Sequence, residues 1–196
     1  FTDSDIDGSI DRVLNLFKKH GMPLMWTVGP ATKPADLGKH LLKKGMTHVD
    51  DYHKMALDLT KMNRQLELPE GFEILEVNDK SLLEKWLTIY SVCFELSWRI
   101  EKALKKYYSG LFLDSTIPAK TYIGLYKGKA VATSQVFFDD DCAGIYNIDT
   151  LPEARNRGFG YAMTLRALLT AQESGYKTAV LQATKKGFPI YQKLGF

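Results

Sequence analysis

Apolar residues along the first part of the chain follow the period of an amphipathic helix, then form a continuous run, then return to a helical period. The first helical stripe, between Asp5 and Gly21, consists of Ile6, Ile10, Val13, Leu14 and Phe17. The apolar run at residues 22–28 predicts a buried strand. Pro34 opens a second helical stripe that ends at Gly45. This order of helix, strand and helix predicts a small α/β segment.

The pattern restarts after the breakers Pro69 and Gly71, so we predict two domains, residues 1–69 and residues 70–196, with a further strand within residues 46–59. The second domain combines apolar strand patterns with helical stripes. Predicted strands span residues 72–77, 121–126, 130–138, 143–151 and 178–183, and helical stripes contain Trp86, Trp98, Leu168 and Tyr191. Short turns join the middle strands, which therefore pair antiparallel. The predicted fold class is α+β, with a mixed central sheet flanked by helices.

Two glycines, Gly158 and Gly160, stand where the strand at residues 143–151 passes into the next helix. Because they lack side chains, backbone N–H groups and the positive end of the helix dipole can approach a ligand, which predicts a phosphate site. Met163 occupies the place where a dinucleotide fold has a third small residue, and the chain has no GxxxxGK[ST] loop. Both of those nucleotide-binding folds are therefore disfavoured.

The wider sequence around these glycines resembles the acetyl-CoA-binding signature of the GNAT acetyltransferase superfamily. Residues 155–160 match the pattern R/Q-x-x-G-x-G/A, and residues 191–196 are similar to a second signature, Tyr-x-x-Leu-Gly-Phe at the end of a helix. The resemblance covers residues 72–196. It departs from the family at Thr184, where many members have Asn, and in lacking the strands that normally follow the Gly-Phe pair.

This resemblance implies a GNAT-like fold, acetyl-CoA as the co-substrate and an amine as the acceptor. The strand before the glycine loop would line the pantetheine arm with Ile148, Asp149 and Thr150. The loop would hold the diphosphate with Arg155, Asn156, Arg157, Gly158, Phe159, Gly160 and Tyr161. Tyr191 would be the general acid that returns a proton to the leaving thiolate.

A fainter likeness links the two parts of the chain. Residues 24–28 and 34–46 parallel residues 179–181 and 190–196, because each pair reads as a strand, a helix and a glycine-hydrophobic exit. We interpret the first part as a degenerate GNAT-like half, similar to that of bacterial tandem members. It lacks an R/Q-x-x-G-x-G run, so we expect it to bind no CoA and to serve as support or as a wall of the substrate pocket. Its core is predicted to contain Trp26, Leu37 and Leu41.

The catalytic base is predicted to be a carboxylate. The four histidines, His20, His40, His48 and His53, all fall within residues 1–69, and the chain has no GxSxG motif. Acetylation of an amine requires that the amine lose a proton and that a donor meet the oxyanion, so a carboxylate or a chain of water molecules suffices as the base. Asp149 is the first candidate, and Glu95 is the second.

Composition and charge narrow the partners. A net charge of +3 over 196 residues is too small for a nucleic-acid footprint. Cys93 and Cys142 lack metal-site spacing, and the aspartates at 139–141 read as a hairpin turn, so we expect no metal. No apolar run approaches the ~20 residues of a membrane helix. Unpaired thiols fit a reducing compartment, so we predict a cytoplasmic protein, for which a homodimer is a compatible assembly.

Together these expectations describe an N-acetyltransferase that moves the acetyl group of acetyl-CoA to a small-molecule or peptide amine by direct attack. The alternative is a catalytically silent module that binds acyl-CoA or regulates another protein, which the absence of terminal strands would favour. Because Phe1 is not a methionine and Phe196 falls within a motif, we expect the native chain to extend beyond these ends.

Overall fold

The computed structural model describes residues 5–22, 24–62, 65–112 and 117–196. The chain divides into two compact units, Phe1–Asp51 and Tyr52–Phe196. In the first unit, helix α1 spans Ile6–Lys19 and helix α2 spans Leu37–Lys43. The Asp5 carboxylate caps α1 by accepting a hydrogen bond from the Gly8 amide at 2.9 Å.

The core of the first unit is small. Ile10 from α1 packs with Leu37 and Leu41 from α2, and the partly buried Trp26 lies against this cluster. Burial of Leu37 and Leu41 is thus confirmed, whereas Trp26 is only partly buried.

The strand predicted at residues 22–28 is wrong. Residues 22 and 24–28 have no regular structure, and the Met25 side chain is 71% exposed. Among the described residues of this unit there is no other strand to complete a backbone ladder, and an unpaired apolar run is not stable as a strand.

The second unit is built on one six-stranded sheet. Its strands are β1 (His53–Asp58), β2 (Phe72–Glu76), β3 (Ala119–Tyr126), β4 (Lys129–Phe138), β5 (Ala143–Thr150) and β6 (Thr178–Ala183). They lie in the order β1-β6-β5-β4-β3-β2, and every neighbouring pair is antiparallel except β5 with β6. Both expected hairpins are present. Lys127 and Gly128, with φ of 50° and 76°, form the tight turn between β3 and β4.

Strand β1 shows where the two units divide. It pairs with β6 from His53, opposite Ala183, to Asp58, opposite Thr178. The strand expected within residues 46–59 is therefore present, and the units divide before it and not after residue 69 as the sequence predicts. Pro69 and Gly71 only form the turn that leads into β2, where the Phe72 amide donates to the Pro69 carbonyl at 2.9 Å.

Helices cover both faces of the sheet. They are α3 (Lys80–Cys93), α4 (Trp98–Phe112), α5 (Phe159–Glu173) and α6 (Phe188–Leu194). Trp86 of α3 packs on one face with Ile123 of β3, while Met163 of α5 packs on the other with the adjacent Tyr122. The α+β class with a mixed sheet flanked by helices is thus confirmed.

Candidate active site

The turn between β5 and α5 offers backbone N–H groups to a ligand. After a short 3-10 turn at Pro152–Ala154, Asn156 and Gly158 adopt left-handed conformations with φ of 62° and 81°, and α5 begins at Phe159. Gly158 stands at the N-cap without a capping side chain. The first N–H groups of a helix have no partner within the helix, so they remain available to an anion.

The absence of a side chain at Gly160 leaves open space at the start of α5, and packing of the fold does not require this space to be empty. A Cβ atom added there would lie 3.6 Å from Ile190 Cδ1 and 3.7 Å from Thr150 Oγ1, which is ordinary contact. Glycine is unfavourable inside a helix, and packing alone would admit an alanine. The open space therefore fits a group that approaches the backbone from outside, such as a diphosphate.

The other loop residues divide into exposed side chains and one core side chain. Arg155 and Arg157 are exposed; Arg155 Nε donates to the Thr150 carbonyl at 3.1 Å, and Arg157 lies over the Tyr126 ring at 5.3 Å. Phe159 stacks on Phe72 with ring centroids 4.2 Å apart, so only its backbone can face a ligand. The loop thus presents two cations beside its N–H groups.

Strand β5 diverges from β6 where the pantetheine arm is expected. The parallel ladder contains only Ala143 opposite Ala179 and Gly144 opposite Val180. On its other side β5 stays paired with β4 as far as Thr150. Residues 148–150 therefore have a backbone edge that β6 does not pair, which is the splayed geometry that the family resemblance implies.

Asp149 is a partly buried acid at this splayed end. Its Oδ2 atom is buried and has no hydrogen-bond partner. Burial raises the Asp149 pKa to about 6, although the Thr133 hydroxyl and the Arg155 charge oppose the rise. A carboxylate with a raised pKa and a free oxygen is a competent proton acceptor near neutral pH.

Tyr191 lies close enough to interact electrostatically with Asp149. It is a buried residue of α6 whose ring packs on Gly187: a Cβ added to Gly187 would lie 2.8 Å from the Tyr191 ring. Burial and, to a lesser extent, the Asp149 charge raise the Tyr191 pKa to about 12. The phenol is therefore protonated at neutral pH. The two predicted catalytic residues thus lie within electrostatic reach of each other.

Three further residues that sequence reasoning did not assign to the site interact with Asp149 through their charge or by hydrogen bonding: Tyr90, Cys93 and Thr133. Tyr90 and Cys93 come from α3, where burial and the Asp149 charge raise both of their pKa values, that of Cys93 to about 11. Their spacing on the apolar stripe of α3 gave no sign of a role, because the period of a helix does not tell a core face from a site wall.

The remaining candidates lie elsewhere. Glu95 is exposed in the turn between α3 and α4, and it is not among the groups whose charge acts on Asp149 or Tyr191. His53 belongs to β1 and thus to the second unit, where its ring packs against Phe188 with centroids 4.7 Å apart. It therefore shares a unit with the glycine loop, contrary to the sequence division at residue 69.

The aspartates at 139–141 form the turn between β4 and β5, as predicted, with the Asp140 amide bound to Asp139 Oδ1 at 2.9 Å. Within the described ranges, no group of three or more His, Cys, Asp or Glu side chains has a geometry that could hold a metal ion. None of the helices in the described part of the chain has the length and apolar character needed to cross a membrane.

Comparison with known proteins agrees with this geometry. Residues 83–196 match the acetyltransferase (GNAT) family. A mycothiol acetyltransferase of Thermobispora bispora is 26% identical over 166 residues, which are 78% of this chain and 55% of that protein. The chain thus spans about half the length of this curated relative.

Two solved structures share the fold. A predicted acetyltransferase with acetyl-CoA from Clostridium acetobutylicum has a TM-score of 0.55 at 21% identity, covering 64% of this chain and 89% of that chain. A GCN5-related N-acetyltransferase from Kribbella flavida has a TM-score of 0.64 at 19% identity, covering 92% of this chain and 66% of that chain.

Proposed function

This chain belongs to the acetyltransferase (GNAT) family, and from that premise we propose that it transfers the acetyl group of acetyl-CoA to an amine by direct attack. The observation that carries the proposal is the buried, unpartnered Oδ2 of Asp149 at the splayed end of β5, within electrostatic reach of Tyr191. A small-molecule or peptide amine is the proposed acceptor.

The residues present fit acetyl-CoA as the substrate. The N–H groups at the start of α5, with Arg155 and Arg157 beside them, would hold the diphosphate. The open backbone edge of β5 at residues 148–150 would pair with the amides of the pantetheine arm. The thioester would then lie near Asp149 and Tyr191.

The reaction balances with these two groups. Asp149 accepts a proton from the amine, whose nitrogen forms the new C–N bond as the C–S bond breaks, and Tyr191 donates a proton to the thiolate. Asp149 then releases its proton to solvent and the Tyr191 phenolate takes one up, which restores both groups for the next turnover. When Asp149 is protonated, its negative charge no longer raises the Tyr191 pKa. The phenol therefore becomes a stronger acid at the stage when the thiolate leaves.

Cys93 supports direct attack over an acyl-enzyme route. Its thiol lies within electrostatic reach of Asp149, but the raised pKa of about 11 leaves it protonated at neutral pH. The thiolate, and not the thiol, is the nucleophile in acyl transfer. Cys93 is thus proposed to be part of the site wall.

The test is release of free CoA thiol from acetyl-CoA in the presence of a panel of small-molecule and peptide amines. Amine-dependent release with formation of the acetylamide supports the proposal. Saturable acetyl-CoA binding with no release across the panel would instead favour the silent binding module.

For the first unit we propose the role of a degenerate GNAT-like half that binds no CoA. Two features support it: the unit lacks an R/Q-x-x-G-x-G run, and the Kribbella flavida structure aligns with 92% of this chain. Cytoplasmic location and homodimeric assembly stay predictions.

A further inference from the structure

Strand β5 carries one residue more than β4 beside the candidate base. Tyr146 pairs with Gln135 and Asp149 pairs with Thr133, so Asn147 and Ile148 together oppose a single residue of β4. This is a β-bulge, and Asn147 adopts a left-handed conformation with φ of 52°. Bulges change the direction in which the following side chains point. Asp149 is the second residue after Asn147.

The bulge is held by a ladder of side chains across three strands. Asn147 Nδ2 donates to Gln135 Oε1 at 2.7 Å, and Gln135 Nε2 donates to Thr121 Oγ1 of β3 at 2.9 Å. Gln135 is 6% exposed, and both ends of its side-chain amide have a partner. A buried amide is costly unless it is hydrogen-bonded, and an apolar residue would fill this position at lower cost. The presence of a polar residue at position 135 therefore indicates a role other than packing.

The backbone of Asn147 is fixed from the same strand. The Thr133 hydroxyl donates to the Asn147 carbonyl at 2.9 Å, and the Thr133 side chain also lies beside the Asp149 carboxyl. Asn147 is thus held by its side chain and by its carbonyl, both from β4. A left-handed non-glycine residue persists where its surroundings fix it in more than one way.

We propose that Gln135 is a positioning residue that, through the Asn147 side chain, holds the β5 bulge and thereby keeps the Asp149 carboxyl in its buried place beside Tyr191. The proposal rests on the function proposed above, because it gives Gln135 a purpose only if Asp149 takes part in the chemistry. Gln135 itself touches neither the reacting atoms nor, in the described part of the chain, any residue of the glycine loop by a hydrogen bond.

The test is a titration of the Asp149 carboxyl carbon by NMR in the whole chain, with its resonance identified by its loss in Asp149→Asn. We expect a midpoint near 6 for the unchanged protein. Gln135→Met keeps the unbranched shape and removes both hydrogen bonds. The released carboxyl should then gain water, so the midpoint falls by about one pH unit or more. Arg155, whose charge acts on Asp149, stays in place, and so do the groups on which the Asp149 charge acts: Tyr90, Cys93 and Tyr191.

Two further variants sharpen the result. Gln135→Glu can still accept from Asn147 and from the Thr121 hydroxyl, and it adds a like charge, so the midpoint should hold or rise. Asn147→Ala breaks the same link from the other side, so its midpoint should fall as in Gln135→Met. If Gln135→Met does not fold, the midpoint in Asn147→Ala still tests the positioning role.

Ser134→Ala is the matched control. Ser134 is the neighbouring residue of β4, faces the side of the sheet covered by α5, and has a buried hydroxyl without a partner. Its variant should leave the midpoint unchanged. A midpoint that stays near 6 in folded Gln135→Met and Asn147→Ala overturns the positioning role. No acetyl transfer is needed for this titration, so a shifted midpoint without amine acetylation would overturn the proposed function alone.

Discussion

Burial of the Asp149 side chain has opposite effects on stability and on chemistry. Burial raises the pKa of the carboxyl in the folded protein, so its ionisation at neutral pH lowers the stability of the fold. The same raised pKa makes the carboxylate a better base. The thiol and phenol groups around it, Cys93 and Tyr191, are protonated at neutral pH. Asp149 is therefore the group of this site whose charge changes closest to neutral pH.

Asp149→Asn should stabilise the protein at neutral pH. The folded protein binds the proton more tightly than the unfolded chain, so the free energy of unfolding falls as pH rises from 3.8 to about 6. The variant lacks this loss, and its gain of about 1 to 3 kcal/mol should be full above pH 6 and absent below pH 4. Thermal melts across this range measure it. The exposed Asp140→Asn is the control, and a gain that does not depend on pH would contradict the assigned burial.

Tyr191→Phe should lower turnover and leave binding unchanged. The ring keeps its packing on Gly187, and only the proton donor is lost. We expect a fall in kcat of roughly 10²-fold or more with little change in the acetyl-CoA concentration at half saturation. Steady-state kinetics with the best amine of the panel provide the measurement. Tyr176→Phe, a partly buried tyrosine stacked on Phe138, is the control. Wild-type turnover in the Tyr191 variant would return Tyr191 to a packing role.

At the scale of elements, the turn between β5 and α5 was predictable and the walls of the site were not. Gly158, Gly160 and Tyr191 belong to short contiguous sequence patterns. Their spacing in the sequence is therefore enough to predict their positions in the turn and in the last helix. Cys93 and Thr133 come from α3 and β4, and they meet Asp149 only through the packing of three separate elements. Local patterns contain no information on such long-range contacts.

Gly160→Ala should strengthen the fold and weaken binding of acetyl-CoA. The added methyl fits between Ile190 and Thr150 and removes a helical glycine, a gain of up to about 1 kcal/mol. It also narrows the approach to the helix N–H groups, so we expect affinity to fall about tenfold, and about a hundredfold for the larger Gly160→Val. Calorimetry measures the affinity for acetyl-CoA, and thermal melts measure the stability of the fold.

Gly38→Ala provides the matched control for that change. Gly38 lies in α2 of the first unit, and an added Cβ there meets no atom within 4 Å. It should gain helix stability without any change in affinity. Equal affinities for Gly160→Ala, Gly160→Val and Gly38→Ala would exclude the start of α5 as the diphosphate site.

At the scale of the whole molecule, the sequence predicted two parts but placed their division after residue 69. The breakers Pro69 and Gly71 are strong local signals, whereas nothing local shows that β1 pairs with β6 more than a hundred residues later. The segment after β1 is fixed as well: the Leu59 amide donates to the Lys177 carbonyl at 2.8 Å, and Gln172 Nε2 donates to the Leu59 carbonyl at 2.7 Å.

A chain that starts at residue 70 should therefore fail to fold stably. It lacks β1 and the buried residues Leu57 and Leu59, and it exposes the edge of β6. The chain Tyr52–Phe196 keeps the entire sheet and should melt cooperatively as a monodisperse species. Size-exclusion chromatography and circular dichroism compare the two. A stable 70–196 fragment with the same melting temperature as 52–196 would contradict the assignment of β1 to this unit.

The most direct test of amine acetylation with Asp149 as the base is the pH dependence of kcat/KM. It is measured for several amines of different pKa, in the unchanged protein and in Asp149→Asn. The limb of the pH profile that comes from ionisation of the amine shifts to a different pH when a different amine is used. The limb that comes from ionisation of Asp149 stays at the same pH for every amine. We predict a common acid limb with a midpoint near 6 that is absent in Asp149→Asn, whose rate falls by about 10² or more. The same limb and the same rate in Asp149→Asn would show that the base lies elsewhere.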